Sequence, residues 1–263
     1  MADAFGNLLR SWRNLRRMSQ LDLGLAAGVS ARHISFLETG RSRPSRGMVL
    51  ALSESLGVPR GTRNVLLNAA GFSQAFFARD LADDDMASVR EAMEWTLDRH
   101  NPYPAIALDR HWRLVRMNTV ATALFETLQL SIGDSLLDAF LSEGPLAGAL
   151  ENYADVIRHM VVRLRVESAH LGGDPVLDAT AGKLASGLGD RMLAPHEPMP
   201  AVVPARLRIG DSILSLFSTI AQFGSTEDIA LADLRIELMF PADAVTRDLL
   251  TRGSSPRPDL ESQ

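Results

Sequence analysis

The stretch SQLDLGLAAGVSARHISFLE, Ser19 to Glu38, constrains this chain more than any other, because it carries two helix starts and a helix stop within twelve residues. Ser19 stands where an N-cap is expected, with Asp22 three residues on in the capping-box position. Met18 and Leu23 flank it at the spacing of a hydrophobic staple. Gly28 falls where a helix closes on a left-handed residue. Ser30 then repeats the start signal, with Val29 and Ile34 as a second staple. The spacing predicts helices over 20–27 and 31–39 joined by a very tight turn, with Leu23, Ala27, Val29, Ile34 and Leu37 sharing one small core. Gly24 has no side chain, so the two helices can approach closely there. Ala31, Arg32 and Ser35 are left outward on the second helix, with His33 near the edge: a short polar face of the size of a few base edges.

A helix precedes this pair, with Phe5, Leu8, Leu9, Trp12 and Leu15 at helical spacing and arginines opposite them. Two more follow, within RGMVLALSESLGV and TRNVLLNAAG. The charge of these residues is exceptional for the chain. Up to Arg79 there are eleven arginines against four acidic residues, a net +7, and from Asp80 onward 16 basic against 28 acidic residues, a net −12. A basic module is joined to an acidic one. Positive charge of this density attracts polyanions by releasing their counterions, and nucleic acid is the natural partner.

From Gln20 to Thr39, and on through ETGRSRPS and the next helix, the pattern resembles the helix-turn-helix of phage-repressor-like (XRE) regulators. The resemblance covers about 80 residues and rests on Gly24, Gly28, Leu23, Val29, Ile34 and Leu37. Gly in place of the family's usual Ala at position 24 is a mild departure that lowers helix propensity. The resemblance implies that the helix after Ser30 and Ala31 lies in the major groove of double-stranded DNA. There Arg32 would grip guanine and Ser35 or His33 would make a more tolerant contact. Gln20 would donate to a phosphate at the start of its helix. Arg41, Arg43 and Arg46 would clamp the backbone, positioning the protein while the base contacts specify.

The second half opens with RDLADDD, a linker with an acidic end, and a helix carrying Met86, Val89, Met93 and Leu97 on one face. Two strand-like runs follow in NPYPAIALDRHWRLVRMN, then helices in TVATALFETLQ, around Glu151–His170 and near Leu177–Leu188. ARLRIG, SILSLFSTIAQ and LRIELMF read as three further strands, the last with Leu234, Ile236, Leu238 and Phe240 alternating against Arg235, Glu237 and Met239. A helix capped by Asp243 closes the pattern, and the tail RGSSPRPDLESQ is expected to be disordered. The fold class is therefore α+β: five N-terminal helices, then an antiparallel sheet with helices packed on a face. The expected divisions are 1–78, a linker and connecting helix 79–100, 101–252, and a tail 253–263.

This order of elements resembles a PAS-type sensor fold. Taken with the first half, YPAIALDRHWRLVRMN and LFSTIAQFGSTEDIALADLRIELMFPAD resemble the MmyB-like regulators, in which an XRE helix-turn-helix precedes a PAS-like ligand-binding domain. Asn118, Glu237, Pro241 and Asp243 are the landmarks. Membership implies a small apolar ligand, a homodimer and a two-fold operator. Candidates for a pocket between sheet and helices are Trp112, Val115, Met117, Phe125, Phe217, Ile220 and Leu238; the same residues also suit an ordinary core. The rival readings are a C-terminal half that only dimerises and, less favoured, an enzyme.

IGDSLLDAF superficially matches the nucleophile block of GDSL-type hydrolases, but no Asp-x-x-His follows it to supply a base. The six histidines lack metal-site spacing, there is no cysteine, and neither a phosphate loop nor a dinucleotide fingerprint occurs. No catalytic residue, metal or cofactor is expected. With no signal peptide and no apolar run of membrane-spanning length, the expected location is the cytoplasm.

Overall fold

The computed structural model describes residues 2–76, 81–189, 202–223, 231 and 233–253. The chain divides into two compact units, one centred on Met1–Asp80 and one built round a β-sheet.

The first unit contains α1 (Ala2–Leu15), α2 (Gln20–Ala27), α3 (Ala31–Glu38), α4 (Arg46–Ser55) and α5 (Arg60–Ala69), and Val166–Pro175, which includes the end of a later helix, is counted with it. The signals between Ser19 and Ser30 act as their chemistry dictates. Ser19 Oγ accepts from the Asp22 amide while the Asp22 carboxylate accepts from the Ser19 amide, at 3.1 and 2.8 Å. Gly28 closes α2 in the left-handed region, φ +70°, and Ser30 Oγ accepts from the His33 amide at 3.2 Å. Phe5, Leu9, Trp12, Leu23, Ile34, Leu37, Val49, Leu52, Leu66 and Leu67 form the core, with Met18, Ala27 and Val29 packed against it. Leu15, expected on the buried face of α1, is the last residue of that helix and remains exposed.

Gly24 is more than a tolerated departure. A Cβ at this position would lie 2.6 Å from the Val29 carbonyl oxygen, with Ala31 N at 3.2 Å, so the turn itself occupies the space an alanine needs. Gly24→Ala is expected to destabilise the chain by about 1–3 kcal/mol through overpacking, although helix propensity alone favours alanine by about 1 kcal/mol. Urea denaturation measures the net effect, and a stabilised variant would show that the turn yields.

In the second unit a 3₁₀ turn (Asp84–Met86) leads into α6 (Ala87–Arg99), β1 (Ala105–Leu108), β2 (Leu114–Met117) and α7 (Thr119–Thr127). Then come α8 (Leu136–Leu141), α9 (Pro145–Ala149), α10 (Tyr153–His170), α11 (Pro175–Leu188), β3 (Ala205–Ile209), β4 (Ser212–Ala221), β5 (Arg235–Pro241) and α12 (Ala244–Gly253). The strands form one antiparallel sheet in the order β2-β1-β5-β4-β3, with helices between β2 and β3, which is the α+β arrangement the PAS-type resemblance implies.

Both faces of the sheet are covered, where the sequence suggested one. Met93 and Leu97 of α6 pack on Ala105, Ala107, Leu234 and Ile236, with Val115 and Leu238 beside them. Asn118, fully buried, locks this region: its Oδ1 accepts from the Ala105 and Ala121 amides, and its Nδ2 donates to the Leu97 and Tyr103 carbonyls. It thereby caps α7 and joins the end of α6 to the start of β1. Asp243 caps α12 as expected, accepting from the Thr246 amide at 2.7 Å. The tail from Ser254 onward lies outside the described residues.

Candidate functional site

Two regions concentrate chemistry, one in each unit. In the first, α3 presents an exposed Arg32, with Ala31, His33 and Ser35 half-buried along the helix. The guanidinium of Arg32 lies 5.2 Å from the centroid of the Phe36 ring, one turn further along, and that of Arg41 lies 6.0 Å from the same ring. Phe36 thus gathers two of the expected DNA-facing arginines into one cationic cluster. Sequence reasoning did not single it out, although the i, i+4 spacing from Arg32 was visible.

Three other residues of the expected interface have tasks inside the fold. Ser30 is occupied as the cap of α3. Gln20 donates from Nε2 to Glu38 Oε2 at 2.8 Å, and the same carboxylate takes two bonds from Arg13, at 2.6 and 3.1 Å. Arg13 also donates to the Met18 carbonyl. The start of α2 is therefore fastened to α1 and α3 through one nearly buried carboxylate, which raises the Arg13 pKa. Arg46 donates to the carbonyls of Ser73 and Gln74, holding the segment after α5, which Asn64 grips at Ala75 and Phe76. Arg43 stands exposed between α3 and α4.

In the second unit, a cavity of about 310 Å³ lies between the sheet and helices α7 to α10. Its walls are mainly apolar, and its size falls at the lower end of small-molecule sites. Of the expected pocket residues, Trp112, Phe125 and Phe217 line it. Val115 and Leu238 instead pack on the face covered by α6, Met117 is half-buried outside the lining, and Ile220 is 48% exposed. For Leu238 the reason is strand parity: on β5 it is Glu237 and Met239 that border the cavity, and Leu238 between them points the other way.

One end of the cavity is polar. Arg163 of α10 donates to Glu237 Oε1 at 2.5 Å, and its guanidinium lies 4.2 Å from the centroid of the Trp112 ring. Trp112 is buried and holds a left-handed backbone, φ +64°. Arg235 lies 5.0 Å from the same ring and donates to the carbonyls of Asp109 and Arg110. His159, one turn before Arg163, also borders the cavity; loss of solvent and then the Arg163 charge lower its pKa, against a smaller opposing pull from Glu237. Arg163, Glu237 and His159 were not among the expected pocket residues.

The Gly133–Ser135 segment serves as a helix start: Ser135 Oγ accepts from the Asp138 amide and caps α8, and Asp134 accepts from the amide and hydroxyl of Ser131. Among the described residues there is no group of three or more side chains placed to hold a metal ion, and no helix long and apolar enough to cross a membrane.

Comparison with known proteins gives the following likenesses. Residues 89–252 match the model of the MmyB-like transcription regulator ligand binding domain, and residues 9–61 match a helix-turn-helix model. The uncharacterized HTH-type transcriptional regulators Mb0023 of Mycobacterium bovis and Rv0023 of Mycobacterium tuberculosis are each 29% identical over 218 residues, spanning 79% of this chain and 84% of theirs. Among solved structures, the PAS domain of Bordetella pertussis BvgS aligns with 64% of this chain and 99% of its own, at 14% identity and a TM-score of 0.31.

Proposed function

The chain belongs to the MmyB-like transcription regulators with an N-terminal helix-turn-helix, and from that premise we propose that a small, largely apolar ligand in the cavity of the second unit modulates how a cytoplasmic homodimer binds a two-fold operator. In this reading 1–78 is the DNA-binding domain, 79–100 the linker and connecting helix, and 101–252 the ligand-binding and dimerisation domain. Two copies of α3 enter successive major grooves about 34 Å apart. The ligand acts by preferring one of two dimer arrangements, since only differential affinity moves such an equilibrium. The observation that carries the proposal is the apolar cavity walled by α7 to α10 and the sheet. No catalytic step is assigned; Ser135, the one serine in a nucleophile-like motif, is engaged as a helix cap.

Native mass spectrometry of freshly purified protein, followed by solvent extraction, tests it. A stoichiometric apolar compound that changes operator affinity by roughly 5- to 150-fold when removed and restored is the expected result. Unchanged operator affinity across that cycle would leave the second unit a dimerisation module alone.

In the DNA-binding half, Arg32 reads a base and the exposed Arg41 and Arg43 hold phosphates, while Gln20 and Arg46 keep the framework in place. Arg32→Ala is expected to weaken cognate-site binding by about 1–3 kcal/mol with a much smaller loss on random DNA. Equal losses on both would remove it from base reading. Arg43→Ala is expected to weaken both alike and to flatten the slope of log K against log salt by about 0.9. Fluorescence anisotropy between 50 and 200 mM salt, a range over which phosphate-contacting proteins lose roughly 10³-fold or more, separates the two roles.

A further inference from the structure

We infer that Phe36 is a positioning residue for base reading: its ring holds the Arg32 guanidinium in place, with the N–H edge left free to meet guanine. The inference rests on the base-reading role of Arg32 given above and assigns what makes that reading selective. Ile34 and Leu37 of α3 lie in the core of the first unit, whereas Phe36, the largest apolar residue of the same helix, is half-buried and is not among the residues of that core. The Arg32 guanidinium lies over its ring at 5.2 Å from the centroid, and that of Arg41 at 6.0 Å. The Ser42 amide donates to the Phe36 carbonyl at 3.1 Å, which folds the chain after α3 back on the helix and brings Arg41 to the ring. The core does not use this side chain, and its two cations do.

A guanidinium can use a ring and a base at the same time, because it stacks through its plane while its N–H donors point outward in that plane. Among the described residues neither Arg32 nor Arg41 donates to a carboxylate or a carbonyl, so those donors stay available. A carboxylate in place of the ring would hold Arg32 as firmly, but it would occupy the same donors and set a negative charge beside the DNA phosphates. The uncharged ring does neither. A long side chain that must be ordered on binding loses rotamer freedom, and one already held loses less, so the contact to guanine is stronger for being prepared. Because Arg41 shares the ring, the base contact is also tied to the phosphate contact beside it.

The test measures, by fluorescence anisotropy, the ratio of affinities of the full-length protein for a cognate site, selected by it from random duplexes, and for random DNA. Phe36→Leu and Phe36→Met, each checked for folding by its urea transition, are expected to lower this ratio about 2- to 30-fold, the span of a cation–π contact from an exposed to a desolvated setting. Phe36→Tyr, which keeps the ring, is expected to stay near the unaltered protein. In an Arg32→Ala background Phe36→Leu is expected to leave the ratio unchanged, since the ring acts through that arginine. An unchanged ratio in both ringless variants, or a loss shared in full by Phe36→Tyr, would overturn the inference. So would a further fall in the Arg32→Ala background, which would make Phe36 a base-contacting residue in its own right. If Arg32→Ala itself leaves the ratio unchanged, the base-reading role of Arg32 fails and the inference fails with it.

Discussion

Replacing Glu38 by Ala is expected to destabilise the chain by about 3–5 kcal/mol, the cost of leaving a buried charge without its partner. The Glu38 side chain is 3% exposed and Arg13 opposite it 11%. Removing the carboxylate strands the Arg13 guanidinium and the Gln20 amide together, in the place where α1, α2 and α3 meet. The double variant Arg13→Met/Glu38→Leu is expected to regain most of the loss, because a packed apolar pair carries no desolvation penalty. Urea denaturation of the full chain measures both. A Glu38→Ala loss below about 1 kcal/mol would show the pair behaving as a surface salt bridge.

Asn118→Ala is expected to have a comparable effect, about 3 kcal/mol or more. It removes an N-cap, worth about 1 kcal/mol, and leaves the Ala105 amide and the Tyr103 carbonyl unsatisfied in a buried site, at about 1–3 kcal/mol for each group that water cannot reach; the Leu97 carbonyl loses one donor and keeps the His100 amide. Asn118→Ser restores the cap alone and is expected to recover only about 1 kcal/mol. Recovery of most of the stability by serine would mean that the carbonyl contacts contribute little. Thermal and urea unfolding of the second unit, followed through its tryptophans, distinguishes the two outcomes.

The DNA-binding half was legible in the sequence because its signals are local. Ser19, Asp22, Gly28 and Ser30 act on backbone groups within four residues of themselves, so their spacing alone places α2 and α3. What the spacing withheld was the partner of a polar side chain. Nothing in the string links Gln20 to Glu38, eighteen residues away, or Arg46 to the carbonyls of Ser73 and Gln74. In the other half the strands were visible but the cavity was not. Alternation along β5 distinguishes two faces, yet both are covered, one by α6 and the other by the cavity helices, and hydrophobicity favoured the α6 side. Glu237 therefore read as outward, although the half-buried Arg163 neutralises it within the cavity wall. Ile220 failed for a different reason: it stands opposite Glu237 in the ladder but remains largely exposed.

The strand order has a consequence for how each copy of the protein comes into being. Among the described residues β5 is the last strand in chain order and the middle one of the sheet. Until residues 235–241 are in place, β1 with β2 and β3 with β4 exist as two separate hairpins, each with an unpaired edge. Closing them round a strand made more than a hundred residues after β1 is a long-range and therefore slow event. On the ribosome the helix-turn-helix unit emerges complete long before it. Glu237 and Met239 arrive with β5, so a molecule that sits against them has no wall to sit against until that strand is made. In the proposed ligand-binding reading, every copy therefore starts empty and meets its ligand only after β5 has closed the sheet.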